Sequence, residues 1–193
     1  MVSCPEDVVP DRTDAPTSEP EIFVASDIGE DLLATAYLRM KVEGIIETYY
    51  HVQVPPLSEF LSYHNGQDRG YHYLGAFLRP TVGQPAEFIG MGWLWNVMGK
   101  PGSRKGEVGM MFFRKWQVHR IPIKAMRLML DYCFDVAKCD IVVGTTPIKN
   151  RAALVFDKRL GFTQLPPIPN FTMFQGEPCD AVISYLTAKQ WRQ

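Results

Sequence analysis

The sequence predicts an α/β fold in which an antiparallel meander of strands continues into a parallel strand pair, forming a mixed sheet with helices on both faces. Three observations predict it. Residues 71–78, 87–98 and 106–113 are strand-like apolar stretches joined by short turns, Pro80 to Pro85 and then Lys100-Pro101-Gly102-Ser103, which is the pattern of consecutive antiparallel strands. Ile123, Met126, Leu130, Cys133, Phe134 and Ala137 fall on one helical face, with Lys124, Arg127, Asp131, Asp135 and Lys138 on the other. Ile141-Val142-Val143 then follows as a buried β-branched strand. Because it is reached from the third strand through that helix, the crossover rule makes the two strands parallel.

A length of 193 residues fits one domain with a real core. Hydrophobic residues make up 46% of the chain and charged residues 21%, a balance that excludes disorder for most of it. No apolar run reaches the ~18 residues of a membrane span, and the acidic N-terminus lacks the basic start and apolar centre of a signal peptide. No membrane association and a cytoplasmic location are expected. Cys4, Cys133, Cys139 and Cys179 form no C-x-x-C pair and read as free thiols in a reducing compartment. Together with His51, His64, His72 and His119 they show no metal-ligand spacing, so no metal is expected.

The net charge of -1 argues against a nucleic-acid partner, but the charges are unevenly placed. Acids crowd residues 1–31 against Arg12 alone, whereas Lys100, Arg104, Lys105, Arg114, Lys115, Arg120, Lys124 and Arg127 face only Glu107 between 100 and 130. A local basic segment in a near-neutral chain suits a compact anionic ligand, or is a solvated basic face.

Residues 1–20 carry Pro5, Pro10, Pro16 and Pro20 among acids, too little apolar surface to repay the entropy of folding alone. They read as an extended arm, available to a protein assembly partner, ahead of a single domain over 21–193. Residues 21–25 make a short strand, and Ser26 or Asp27 can cap a helix carrying Leu32, Leu33, Ala36, Tyr37, Met40 and Val42 that ends at Gly44. Residues 57–63 suit a second, shorter helix, started after Pro55-Pro56. Between the two helices lies a loop with Tyr49, Tyr50 and His51, which either covers a core edge or touches a substrate. Trp93 and Trp95, two apart on a strand, share one face. Pro122 suits the first turn of the 123–137 helix. Asn150 can cap a last helix that Gly161 ends in the left-handed conformation. A strand from Phe162, a proline-rich loop (Pro166, Pro167, Pro169) and a closing strand over 181–186 complete the sheet.

From Gly106 to Phe162 this order resembles the GNAT superfamily of N-acetyltransferases. The turn WQVHRIP stands where that family has its Q/R-x-x-G-x-G/A pyrophosphate loop, with Gln117 in the first position. Asn150, Ala153, Phe156, Gly161 and Phe162 resemble its closing N-x-x-A-x-x-Y-x-x-x-G-F pattern. The two N-terminal helices and the meander match as well, so the resemblance covers nearly the whole chain after the arm and implies a GNAT-like mixed sheet.

The resemblance implies acetyl transfer from acetyl-CoA, as cosubstrate, to the amine of a small molecule or a protein. Backbone groups of Met111, Phe112 and Phe113 would pair with the pantetheine arm. Gln117 and the segment Val118, His119, Arg120, Ile121 and Ile123 would hold the pyrophosphate on unpaired N–H groups at the helix start. Asn150 would sit by the cofactor, or be a plain N-cap.

Arg120 and Pro122 stand at both glycine positions of the loop, and Phe156 at the tyrosine position that often serves as proton donor, which a phenyl ring cannot do. Glu107, opening the third strand, is the best candidate base, or an ordinary strand-end charge; His72 is a second candidate if its strand faces the cleft. Two functions compete: an acyl-CoA-dependent N-acetyltransferase, and a catalytically silent GNAT-like module that binds a partner in a larger assembly, such as that of a phage, through its arm.

Overall fold

The computed structural model describes residues 21–26, 28–49, 54–64, 71–79, 83–117 and 120–193. The N-terminal arm, the Asp27 cap, the loop around Tyr50 and His51, and Val118 with His119 lie outside these residues. The described strands are β1 (Ile22–Ser26), β2 (His72–Leu78), β3 (Glu87–Met98), β4 (Lys105–Phe112), β5 (Ile141–Pro147), β6 (Thr163–Gln164), β7 (Ile168–Phe174) and β8 (Glu177–Thr187). They form a single sheet in the order β1-β2-β3-β4-β5-β8-β6, with β7 paired to β8. The expected meander is present as antiparallel β2-β3-β4, and β4 pairs with β5 in parallel.

Side-chain alternation splits the core in two. On one face Tyr73, Met91, Trp93, Met111 and Phe113 pack against α1 (Glu30–Val42) and α3 (Leu57–His64). On the other, Leu74, Ala76, Leu94, Phe112 and Val142 pack against α4 (Ile121–Asp131) and α5 (Arg151–Leu160). Gly161, at φ 93, ends α5 in the left-handed conformation that glycine adopts without steric cost.

Several expectations are corrected. The α1 N-cap is Gly29, with no side-chain cap, and Val42 is exposed because α1 turns that position away from the sheet. The segments read as loops hold α2 (Ile46–Tyr49) and β7. β7 lies at the sheet edge, where Pro169 removes no needed ladder bond. The helix expected to run to Ala137 leaves the α-helical pattern after Asp131 and continues as a π-helical turn over Tyr132–Val136, ending at Lys138 with φ 57.

Candidate active-site cleft

The parallel ladder between β4 and β5 is short: Lys105 opposite Ile141, Gly106 opposite Val142, Glu107 opposite Val143. Beyond that pair β4 stays with β3 through Phe112 while β5 follows β8 through Pro147, so the two strands part. The gap is a cleft of about 720 Å³, walled by Val108–Phe112 of β4, Gly144–Pro147 of β5, Pro122 and Met126 of α4, and the first turns of α5. That volume suits a small-molecule site. Absent side chains keep it open. A Cβ on Gly144 would meet only the Val108 carbonyl oxygen, at 3.7 Å, whereas one on Gly109 would collide with the indole of Trp93, which lines the cleft.

One wall is the start of α4. Arg120 is its N-cap residue, with an exposed side chain that makes no capping bond. The intrahelical ladder begins with Lys124 N–H donating to Arg120 O at 3.2 Å, so the N–H groups of Ile121 and Ile123 precede it and Pro122 has none. The Ile121 side chain is buried in the core and that of Ile123 packs against it. Gln117 is folded back, its Nε2 donating to the Phe112 carbonyl at 2.7 Å. Behind it, Arg114 ties the end of β4 to the end of α1: its N–H donates to Glu43 Oε2 at 2.6 Å and its Nε to the Glu43 carbonyl at 2.5 Å.

The family model described as an acetyltransferase (GNAT) domain matches residues 37–163. The chain belongs to the GNAT family. Among solved structures, similar folds include a spermidine N-acetyltransferase from Vibrio cholerae in complex with CoA and spermine (TM-score 0.76, 13% identity, covering 89% of this chain and 98% of that one). A ribosomal-protein-S5-alanine acetyltransferase from Vibrio fischeri aligns with TM-score 0.70 at 13% identity over 89% and 96% of the two chains. RimJ from Mycobacterium smegmatis, in complex with CoA-disulfide, does so with TM-score 0.70 at 15% identity over 88% and 84%. At this identity the likeness is one of fold. No curated protein matches by sequence.

The GNAT cleft gathers some of the expected residues and leaves others out. Met111, Phe112, Gln117, Asn150 and Phe156 line it. Asn150 is also a true N-cap, its Oδ1 accepting from Ala153 N–H at 3.3 Å. Phe113 does not belong with them: it is fully buried in the α1 face, its N–H bonded to the Ile89 carbonyl and its ring under the Arg39 guanidinium at 3.9 Å. His72 turns to the α4 side, where Nδ1 lies 3.0 Å from Tyr132 Oη, and it takes no part in the cleft wall. Glu107 stands at the apex of the split on the α1/α3 face, half-buried. Its carboxylate accepts from Trp95 Nε1 at 2.9 Å and Asn96 Nδ2 at 3.2 Å.

The basic segment is not one surface. Arg104, Arg114 and Lys115 are held by Ala137 O, Glu43 and Glu87. The exposed cations on the cleft wall include Lys149 and Arg151, at the start of α5, which a count of charges over 100–130 cannot find.

Asp157 of α5 also lines the cleft and was missed. The closing pattern is one residue longer here than in N-x-x-A-x-x-Y-x-x-x-G-F. Counted from Asn150 its tyrosine falls on Phe156; counted back from Gly161 it falls on Asp157. The Asp157 Oδ2 accepts from Ser184 Oγ at 3.0 Å and Thr146 Oγ1 at 3.4 Å. Burial pushes this carboxyl up to about 6, and the two hydroxyl bonds only partly oppose the rise.

Proposed function

We propose that this chain is an acetyl-CoA-dependent N-acetyltransferase whose acceptor is the amine of a small molecule or a protein. The observation that carries the reading is the parting of β4 from β5 after Glu107 and Val143, which leaves an open cleft with a bare strand edge. An open cleft favours an enzyme over a silent assembly module. Among GNAT proteins of similar fold, one is named for spermidine and one for an alanine of ribosomal protein S5, which supports an amine acceptor of either class.

The residues present fit the cosubstrate. The β4 edge from Val108 to Phe112 offers backbone donors and acceptors to an amide-bearing arm laid beside it as an added strand. The N–H groups of Ile121 and Ile123 at the positive end of α4, with Lys149 and Arg151 across the cleft, suit phosphate groups. Arg120 adds an exposed positive charge where glycine would have let the backbone approach more closely. Asn150 continues the polar wall at the start of α5. Bound acetyl-CoA supplies an acetyl group activated as a thioester.

Attack requires a neutral amine. Glu107, at the apex of the split and oriented by Trp95 and Asn96, is the proton acceptor of this reading, directly or through water. Calorimetry with CoA and acetyl-CoA, followed by thiol release with spermidine and amine-terminated peptides, tests the proposal. A wild-type protein that gives no binding heat at millimolar CoA overturns it.

A further inference from the structure

A carboxyl lines the cleft, that of Asp157, on the opposite face of the sheet from Glu107, which stands beside the cleft and not in its lining. Strand alternation puts Glu107 with Trp95 on the α1/α3 face and Asp157 on the α4/α5 face, above Ser184, which pairs with Gly144, the residue just past the last β4-β5 pair. Asp157 is therefore at the level where the strands separate. Both hydroxyls that hold it bond to Oδ2, and Oδ1 has no hydrogen-bond partner among the described residues. Ser184 is fully buried and Thr146 nearly so, which fixes the Oδ2 side of the carboxyl and leaves Oδ1 for the cleft. Gly144 next to it has no side chain to screen it from the gap.

We infer that Asp157 is the proton donor to the leaving sulfur, with Oδ1 carrying the proton. This rests on the acetyltransferase reading above. The amine nitrogen forms the new bond to the acetyl carbon, the carbon–sulfur bond breaks, and its electron pair goes to sulfur. Asp157 Oδ1 gives its proton to that sulfur and becomes a carboxylate, whose negative charge Ser184 and Thr146 hold by their hydroxyl protons. The surplus proton on nitrogen leaves to Glu107 or water, and Asp157 recovers a proton from solvent through the open cleft. No oxidant or further reactant is needed. The assignment also settles the count along α5: Phe156, which packs against the core, is a wall, and its neighbour carries the chemistry. Burial keeps the carboxyl partly protonated near neutral pH, and an acid close to the working pH donates well to an alkyl thiolate, the conjugate base of a much weaker acid (a cysteine thiol, for comparison, lies near 8.5).

The test needs no acceptor amine. The thiol of CoA bound to wild type and to Asp157→Asn is titrated by thiolate absorbance, and the Asp157 carboxyl of the wild type is followed by carbon NMR with and without CoA. A carboxylate beside the sulfur makes the thiol harder to ionise. The expected result is a thiol midpoint lower by about one pH unit in Asp157→Asn, with the wild-type carboxyl midpoint moved by CoA. Identical thiol titrations together with a carboxyl unmoved by CoA overturn the assignment and leave the acetyltransferase reading standing. No CoA binding to the wild type overturns both. The carboxyl titration uses unaltered protein, so an Asp157→Asn variant that fails to fold does not remove the test.

Discussion

Glu107 faces Val143 at the last parallel pair between β4 and β5, and beyond that pair Val108–Phe112 and Gly144–Pro147 line the cleft. A side chain placed just past it should close the gap. Gly144→Phe would add its ring where a Cβ meets only a carbonyl oxygen 3.7 Å away, so folding should survive, with stability changed by no more than about 1–3 kcal/mol. CoA affinity should fall roughly tenfold or more, a loss of at least about 1.4 kcal/mol of binding. Calorimetry alongside urea unfolding separates the two effects, and unchanged affinity in a folded Gly144→Phe protein would place the cosubstrate elsewhere.

Phe113 offers a contrast. It resembles a cofactor contact in the sequence but is fully buried between Phe88 and Arg39. Phe113→Ala should cost about 3–5 kcal/mol of stability, the usual loss for a large core aromatic. Chemical denaturation measures it; a loss under about 1 kcal/mol would contradict the packing described.

Glu43 links the two halves of the cleft wall. Its carboxylate accepts from Arg39 Nε at 2.7 Å and from Arg114 N–H at 2.6 Å. Glu43→Ala should destabilise the chain by about 1–3 kcal/mol, mainly through the backbone donor and guanidinium left unpaired. Amide exchange should speed up at Arg114 and at the end of α1. If protection there is unchanged, the bridge does not hold α1 to β4.

The stability of the protein should carry the signature of Asp157. Its carboxyl titrates at about 6 when folded, against 3.8 for the ordinary group, so the folded chain binds that proton more tightly than the unfolded chain does. The resulting stabilisation is complete below about pH 4 and is lost as pH rises through about 6. The displacement corresponds to roughly 3 kcal/mol between protonation states. Asp157→Asn should therefore gain on wild type as pH rises from 4 to 6.5. Urea midpoints across that range check it, and parallel curves for the two proteins would rule it out.

Tyr132 contacts His72 on the α4 face, away from the cleft. Tyr132→Phe should cost about 0.5–1.5 kcal/mol of stability and leave CoA affinity unchanged. A large loss of affinity would return His72 to the functional residues.

The elements and their order were readable from the chain because they depend on neighbours in sequence. Strand alternation in 87–98, the helical face from Ile123 to Phe134, the Asn150 cap and the Gly161 stop are each set by residues within a few positions of one another. The start of the α4 wall and the Asn150 end of the α5 wall were likewise visible, because caps and loops leave local marks. The β7 strand was not, because it exists only by pairing with β8.

The membership of the cleft was decided by the tertiary structure. Sequence order cannot say at which residue β4 and β5 stop pairing, nor that Phe113 turns inward while Phe112 reaches the gap. It also pointed to Phe156 for the tyrosine position and passed over its neighbour Asp157, which lines the cleft too. Successive helical residues point about 100° apart at 3.6 residues per turn, so one step along α5 exchanges a wall for an acid. Packing against Thr146 and Ser184, on strands distant in sequence, determined where that carboxyl sits and how tightly it keeps its proton.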